Sequence, residues 1–304
     1  MHPYHFTRSN CMPLADEPVM RVGVPHSRGR LAATVAEGHP VMVSASAFWD
    51  RQKQRFTDAW GPLSCADVAL DSAGFTAVRN WQEKGQQPGM ASVYPWTVEQ
   101  YVDLAEDLNP SWFSAPDRCC EREVAEDAEA RRMRISTTAV LLEETLRCVA
   151  ERWAAGPTTL RPCTPIVQGW TVDDYRRSLD LTMEVWCKFN VLFDPPALIG
   201  IGSVCRRDLN DPKHGVFSIL EGLIPHLPSR ARLHLFGVKG TACARLFEYP
   251  EVASVDSMAW DVAARHRAHR EGRSNTVASR LDAVSSWMAN HDEGISVRQR
   301  RLAL

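Results

Sequence analysis

With 304 residues, 44% of them hydrophobic and 24% charged, the chain is long enough for a sizeable core and too apolar to be disordered. Its formal charge of −2, from 35 basic against 37 acidic residues, excludes any global electrostatic argument for or against a nucleic-acid partner. No apolar run approaches the length of a membrane span. Nine cysteines at irregular spacings, without a dense framework or a signal peptide, point to reduced thiols and a soluble, cytoplasmic protein. Basic residues are nearly all Arg, with Lys only at 53, 84, 188, 213 and 239. Arg suits bidentate phosphate contacts, but base composition of the genome explains the bias equally well.

Residues 1–40 read as an irregular lead-in, broken by Pro3, Pro13, Pro18 and Pro25, with a modest basic cluster (Arg21, His26, Arg28, Arg30) and a short hairpin around Leu31–Val35. Val41–Ala45 is the first strand, followed by Trp49 and a polar helix or loop. Val68–Leu70 is the second, ending abruptly in Asp71 and the small-residue turn Ser72-Ala73-Gly74. Residues 76–96, with Gly85, Pro88 and Gly89, read as a long loop. Thr97 then caps a helix to Leu108, with Val98, Tyr101, Leu104, Ala105 and Leu108 on one face. The third strand, Trp112–Ala115, ends near Pro116-Asp117. Residues 121–134 carry charges of both signs and read as a solvated helix face, and a helical period runs on from Leu141 to Trp153. Thr164–Gly169 is the fourth strand with Gln168 at its tip, and Thr171 caps the next helix. Ala197–Val204 is a fifth, glycine-containing strand. A helix over 216–227, a sixth strand at Arg232–Gly237, a short helix over Ala242–Phe247 and a seventh strand at Val252–Asp256 follow. Residues 257–304 read as helices with a basic tail.

Strand and helix alternating in this way predict a parallel sheet with right-handed crossovers. The most economical closure is a TIM (β/α)8-type barrel, forming a single domain over 1–304, with its eighth strand concealed in the lead-in or the last third. A doubly wound open sheet is the alternative, disfavoured because no Gly-x-Gly-x-x-Gly follows the first strand. In a barrel the strand tips Asp71, Asp117, Gln168, Gly200 with Gly202, Gly237 and Asp256 ring one mouth, where chemistry resides. One Asp after a strand is commonly a helix cap. Several carboxylates facing one pocket repel unless something binds or protonates them, which points to function.

These residues carry a resemblance. The sequence is similar to the tRNA-guanine transglycosylase superfamily, and more closely to its DNA 7-deazaguanine transglycosylases of the DpdA type. The shared motifs, in chain order, are Asp71-Ser-Ala-Gly-Phe75, Asp117 in Ala-Pro-Asp-Arg-Cys-Cys, Ile166-Val-Gln-Gly169, Ile199-Gly-Ile-Gly-Ser-Val204, His234-Leu-Phe-Gly-Val238 and Ser254-Val-Asp256, spanning roughly residues 41–260. The resemblance implies exchange of guanine for a 7-deazaguanine base, 7-cyano-7-deazaguanine (preQ0) above all, through a covalent aspartyl-sugar intermediate. It makes Asp256 the nucleophile and Asp71 the general acid and base, with Asp117 and Gln168 reading the edge of the base. Gly200, Gly202 and Ser203 would let backbone approach the ring, and Phe75 and Met258 would sandwich it, or else be ordinary core. Arg206, Arg207, Arg265, Arg267, Arg270 and Arg273 would contact the nucleic-acid backbone, the rival reading of the last four being a solvated surface helix.

The chain also departs from its tRNA-acting relatives. They carry a zinc site after the nucleophile with three Cys and a His, whereas no Cys follows Cys243 here. Neither zinc nor another cofactor is therefore expected; His266 and His269 read as surface residues. The expected partner is DNA rather than tRNA, with a homodimer by analogy and no membrane. Arg206 stands where bacterial tRNA enzymes carry a glutamate associated with an aminomethyl base, which favours a neutral or acceptor substituent such as a nitrile. Two rival readings stay open: the same chemistry on tRNA, and a non-catalytic purine-binding barrel or partner subunit.

Overall fold

The computed structural model describes residues 18–24, 30–57, 61–63, 66–239 and 242–302. In chain order its elements are β1 (Val19–Val24), α1 (Arg30–Gly38), β2 (Val41–Ser44), β3 (Trp49–Asp50), β4 (Arg55–Phe56), β5 (Val68–Asp71), α2 (Gly74–Lys84), α3 (Val98–Leu108), β6 (Trp112–Phe113) and α4 (Ala128–Ala155). Then come β7 (Ile166–Val167), α5 (Val172–Cys187), β8 (Leu198–Ile201), α6 (Val216–Leu223), β9 (Arg232–Leu235), α7 (Cys243–Leu246), β10 (Val252–Ser257), α8 (Ala259–Arg270) and α9 (Val277–Leu302).

An 8-stranded sheet runs in the order β6-β5-β2-β1-β10-β9-β8-β7, and every pairing in it is parallel. Chain neighbours are therefore sheet neighbours, and the first strand lies beside the last, with Val19 opposite Ser254 and Val22 opposite Ser257. The sheet curls until its two ends meet: Ser114 and Thr164 form a parallel bridge, with the Ala115 N–H on the Thr164 carbonyl at 2.8 Å and the Thr164 N–H on the Phe113 carbonyl at 2.7 Å. This is a TIM-like winding of strands and helices.

Because both faces of such a sheet are covered, its strands are predominantly apolar rather than alternating. On β2 and β5, Val41, Val43, Val68 and Leu70 join the large cluster under the helices, while Met42 and Ala69 join a smaller cluster with Trp112, Leu198 and Ala253 on the other face. Thr171 and Thr97 each form a capping box, accepting from the N–H groups of Asp174 and Gln100.

Several expectations are corrected. The lead-in is not irregular throughout: Val19–Val24 is the missing strand, hidden from the sequence by Arg21. That residue is only 4% exposed. Its guanidinium bonds Asp67 at 2.9 and 3.4 Å and lies over the Trp112 ring at 5.7 Å. Of the supposed basic cluster, His26 and Arg28 lie outside the described residues. Leu31–Val35 belongs to the helix α1 and not to a hairpin. The supposed loop at 76–96 begins as helix α2, whose Gly74, Ala77 and Val78 are buried at helical spacing but are too small to announce an apolar stripe. Trp49 itself begins the antiparallel pair β3–β4, in place of a polar helix or loop after it. Residues 121–127 precede the helix α4 rather than belonging to it.

Replacing Thr171 with Ala removes a cap just beyond the β7 tip. It is expected to cost about 1 kcal/mol of unfolding free energy in a denaturant titration, with the slope unchanged.

Candidate active site

A cavity of about 480 Å³ lies at the carboxyl-terminal edge of the sheet, and Asp71, Asp117, Gln168, Gly202, Ser203 and Asp256 all line it. The strand ends deliver them: Asp71 closes β5, Asp256 lies near the end of β10, and the others sit on the segments that leave β6, β7 and β8. Carboxyls from three separate strand ends are thus enclosed together.

Asp71 faces the cavity but is otherwise surrounded by protein. Burial, and then the charge of Asp256, push its carboxyl up to about 6, against stabilising hydrogen bonds from Ala73, Ser44 and Ser72. The Ala73 N–H reaches Asp71 Oδ2 at 3.1 Å, made possible by a left-handed Ala73 at φ 72°. Asp256 is held differently. Its Oδ1 accepts the Gly237 N–H at 2.8 Å, where a φ of 68° suits glycine. Behind it the fully buried His234 places Nε2 3.4 Å from the same oxygen.

Asp117 anchors the opposite part of the site. The Ser72 hydroxyl donates to its Oδ1 at 3.0 Å and the Gln168 amide donates to its Oδ2. Tyr94 pins the backbone there, donating to the Asp117 carbonyl at 2.7 Å and accepting its N–H at 3.0 Å. The Ser203 hydroxyl lies 2.6 Å from Gln168 Oε1 and 3.1 Å from Glu121 Oε2, with one proton to give, and it accepts the Cys120 N–H at 2.7 Å. Burial first, then the charge of Asp71, push Asp117 up to about 7. A Cβ at Gly202 would collide with the Gln168 amide and one at Gly74 with the Asp117 carboxyl, so both glycines exist to admit this acid–amide pair.

The remaining expected residues divide. Phe75 and Met258 line the cavity, as do Arg206 and Arg207. Gly200 does not; its missing side chain leaves room for Ile166 and Phe236 instead of for a ligand. Arg207 is not available to a phosphate. Its donors are bound to the carbonyls of Ser203, Trp170, His214 and Gly169 at 2.7–2.9 Å and to the Tyr175 hydroxyl at 3.4 Å, and it stacks 3.9 Å over Trp170. Arg206 is exposed, 5.3 Å over the Phe75 ring and 3.9 Å from Glu123. Arg265, Arg267 and Arg270 sit on exposed positions of α8 and Arg273 just beyond it, none of them lining the cavity. Arg265 pairs with Asp261 at 2.9 Å and Arg273 with Glu271. His266 and His269 are exposed, and no group of three metal-ligating side chains occurs among the described residues.

Sequence reasoning missed Ser44, Glu121, Arg122, Trp170 and Phe236, which also line the cavity. Trp170 had a signal, since it directly follows the Gln168-Gly169 tip. Glu121 and Arg122 lie in a charged stretch that resembles solvated surface, and Arg122 is indeed exposed while still lining the cavity.

Over residues 34–296 the chain matches the model of the DpdA family, DeoxyPurine in DNA protein A. It belongs to that family. The match takes in every cavity residue named above. Membership makes this a protein of DNA-modifying, transglycosylase type. No curated protein matches the chain. No helix among the described residues is long and apolar enough to cross a membrane.

Because Asp117 holds its proton up to about pH 7 when folded but only to about 4 when unfolded, the folded state binds more protons between those values. Its burial therefore costs stability increasingly as pH rises through that window. Asp117→Asn is expected to stabilise the fold at pH 8 by more than about 1 kcal/mol and to change little at about pH 3, below both values, measured by urea unfolding at both.

Proposed function

We propose that this protein exchanges guanine in DNA for a 7-deazaguanine base, through a covalent bond between Asp256 and the sugar. The observation that carries the reading is the pairing of Asp256 with a neighbouring carboxyl, Asp71, whose proton affinity is raised to about 6 by burial and by Asp256 itself. One group is thus suited to bond to carbon and the other to move protons near neutral pH. The curled sheet is taken as a closed (β/α)8 barrel, which would hold both groups on rigid strand ends, and the chain as a single domain over 1–304.

In the first half-reaction an Asp256 oxygen bonds to C1′ as the C1′–N9 bond breaks, and the departing guanine takes the proton of Asp71. In the second, Asp71 removes a proton from the incoming base, whose nitrogen attacks C1′ and expels the aspartate. No resident cofactor is needed. Asp117 and Gln168 would accept from and donate to the N1, N2 and O6 edge of the base, exchanging their mutual hydrogen bond for bonds to the ligand. The cavity volume suits one flipped nucleotide base, not a duplex, so the target must leave the helix. Arg206 on the cavity wall would donate to an acceptor such as the nitrile of preQ0.

Incubating the protein with labelled guanine and either duplex DNA or tRNA tests the substrate; label is expected in DNA. Asp256→Ala should abolish incorporation and Asp256→Asn should trap no covalent DNA adduct, so incorporation by either variant would sink the assignment of the nucleophile. Arg206→Glu is expected to shift the preference from the cyano base toward the aminomethyl base by about tenfold, read from competition between the two.

A further inference from the structure

The Asp256 carboxylate has two inequivalent oxygens. Oδ1 accepts the Gly237 N–H at 2.8 Å and is the carboxylate oxygen facing His234 Nε2 at 3.4 Å. That imidazole is wholly buried, and Nε2 has no hydrogen-bond partner within normal length. Its other nitrogen, Nδ1, lies 2.8 Å from the Ser254 hydroxyl. The ring cannot turn away, because Trp112 and Phe236 pack edge-on against it at 4.8 and 4.6 Å.

Resting on the base-exchange reading, we infer that His234 is a positioning residue that, with the Gly237 N–H, holds Oδ1 so that Oδ2 is the oxygen bonded to C1′. Asp256 and Ser254, on either side of the ring, make this direction the consistent one. A neutral ring has one proton, and a bare Nε2 lone pair against a carboxylate would be repulsive, so the proton sits on Nε2 and the Ser254 hydroxyl donates to Nδ1. Burial, reinforced by the charge of Arg21, keeps the ring from gaining a second proton, against the pull of Asp256. Contacts of this kind are commonly long in the free enzyme and tighten when the substrate is seated.

The two donors act differently on the two half-reactions. When Oδ2 bonds to C1′, the carboxylate charge disappears and Oδ1 becomes an ester carbonyl oxygen. When the C1′–Oδ2 bond breaks, the electron pair returns to the carboxylate and charge builds again on Oδ1. Donors there stabilise the leaving carboxylate, so they assist breakdown of the adduct more than its formation.

The test follows both half-reactions by rapid mixing, using duplex DNA and then free guanine. His234→Phe keeps the ring packing and removes both nitrogens; it is expected to slow adduct decay about 10- to 100-fold while the burst of released guanine changes less, so that adduct accumulates. His234→Gln, which can still donate to Oδ1, should restore most of the decay rate. If His234→Phe does not fold, Ser254→Ala decides, with the same step slowed about 3- to 10-fold through loss of the tautomer preference. Adduct decay at the wild-type rate in a folded variant, or equal slowing of both half-reactions, overturns the assignment. Failure of the wild-type protein to release guanine or form an adduct overturns the base-exchange reading instead.

Discussion

Enclosing Asp71, Asp117 and Asp256 in one cavity is the constraint on which the rest of the site depends. In a poorly solvated space the ionisation of one carboxyl makes the next more costly, and the two shifted groups, Asp71 at about 6 and Asp117 at about 7, are both raised chiefly by burial. Such an arrangement survives only with donors supplied by the protein. Ser72 and Gln168 serve Asp117, Ala73 serves Asp71, and Gly237 serves Asp256. Each acid thus has its own support.

The scaffold makes this possible by parallel winding. Every strand of the sheet points its carboxyl end the same way, so residues far apart in sequence meet at one edge. The opposite end is secured by the Arg21–Asp67 ion pair and by Ser111, whose hydroxyl meets Asp67 at 2.6 Å. Near the cavity the backbone is less relaxed: Ala73, Ser203 and Arg206 all adopt positive φ without being glycine. Residues in that conformation cost of order 1 kcal/mol or more each and persist where surrounding contacts fix them. Here those contacts aim the Ala73 N–H at Asp71 and the Ser203 hydroxyl at Gln168.

Arginine near the cavity serves two ends that composition alone does not separate. Arg207 is a structural tie, binding the carbonyls of the segments that leave β7 and β8 so that Gln168 and Ser203 stay aligned. Arg206, its neighbour in sequence, stays exposed on the cavity wall. A left-handed φ of 62° at Arg206 turns the two side chains to different surroundings.

The sequence by itself determined the class of fold, seven of the strands and the tips that carry Asp71, Asp117, Gln168 and Asp256, because buried parallel strands are short apolar runs and their ends must be polar. Its motifs also determined the family. It did not reveal β1, since a buried arginine is legible only when its partner Asp67, distant in sequence, is seen beside it. Nor did it reveal α2, whose buried face is made of small residues. Tertiary structure alone decided that Gly200 makes room for side chains while Gly202 makes room for Gln168, and that Arg207 is tied while Arg206 is not. It alone set His234 behind Asp256. These distinctions depend on which atoms meet across strands, and spacing along one chain carries no record of that.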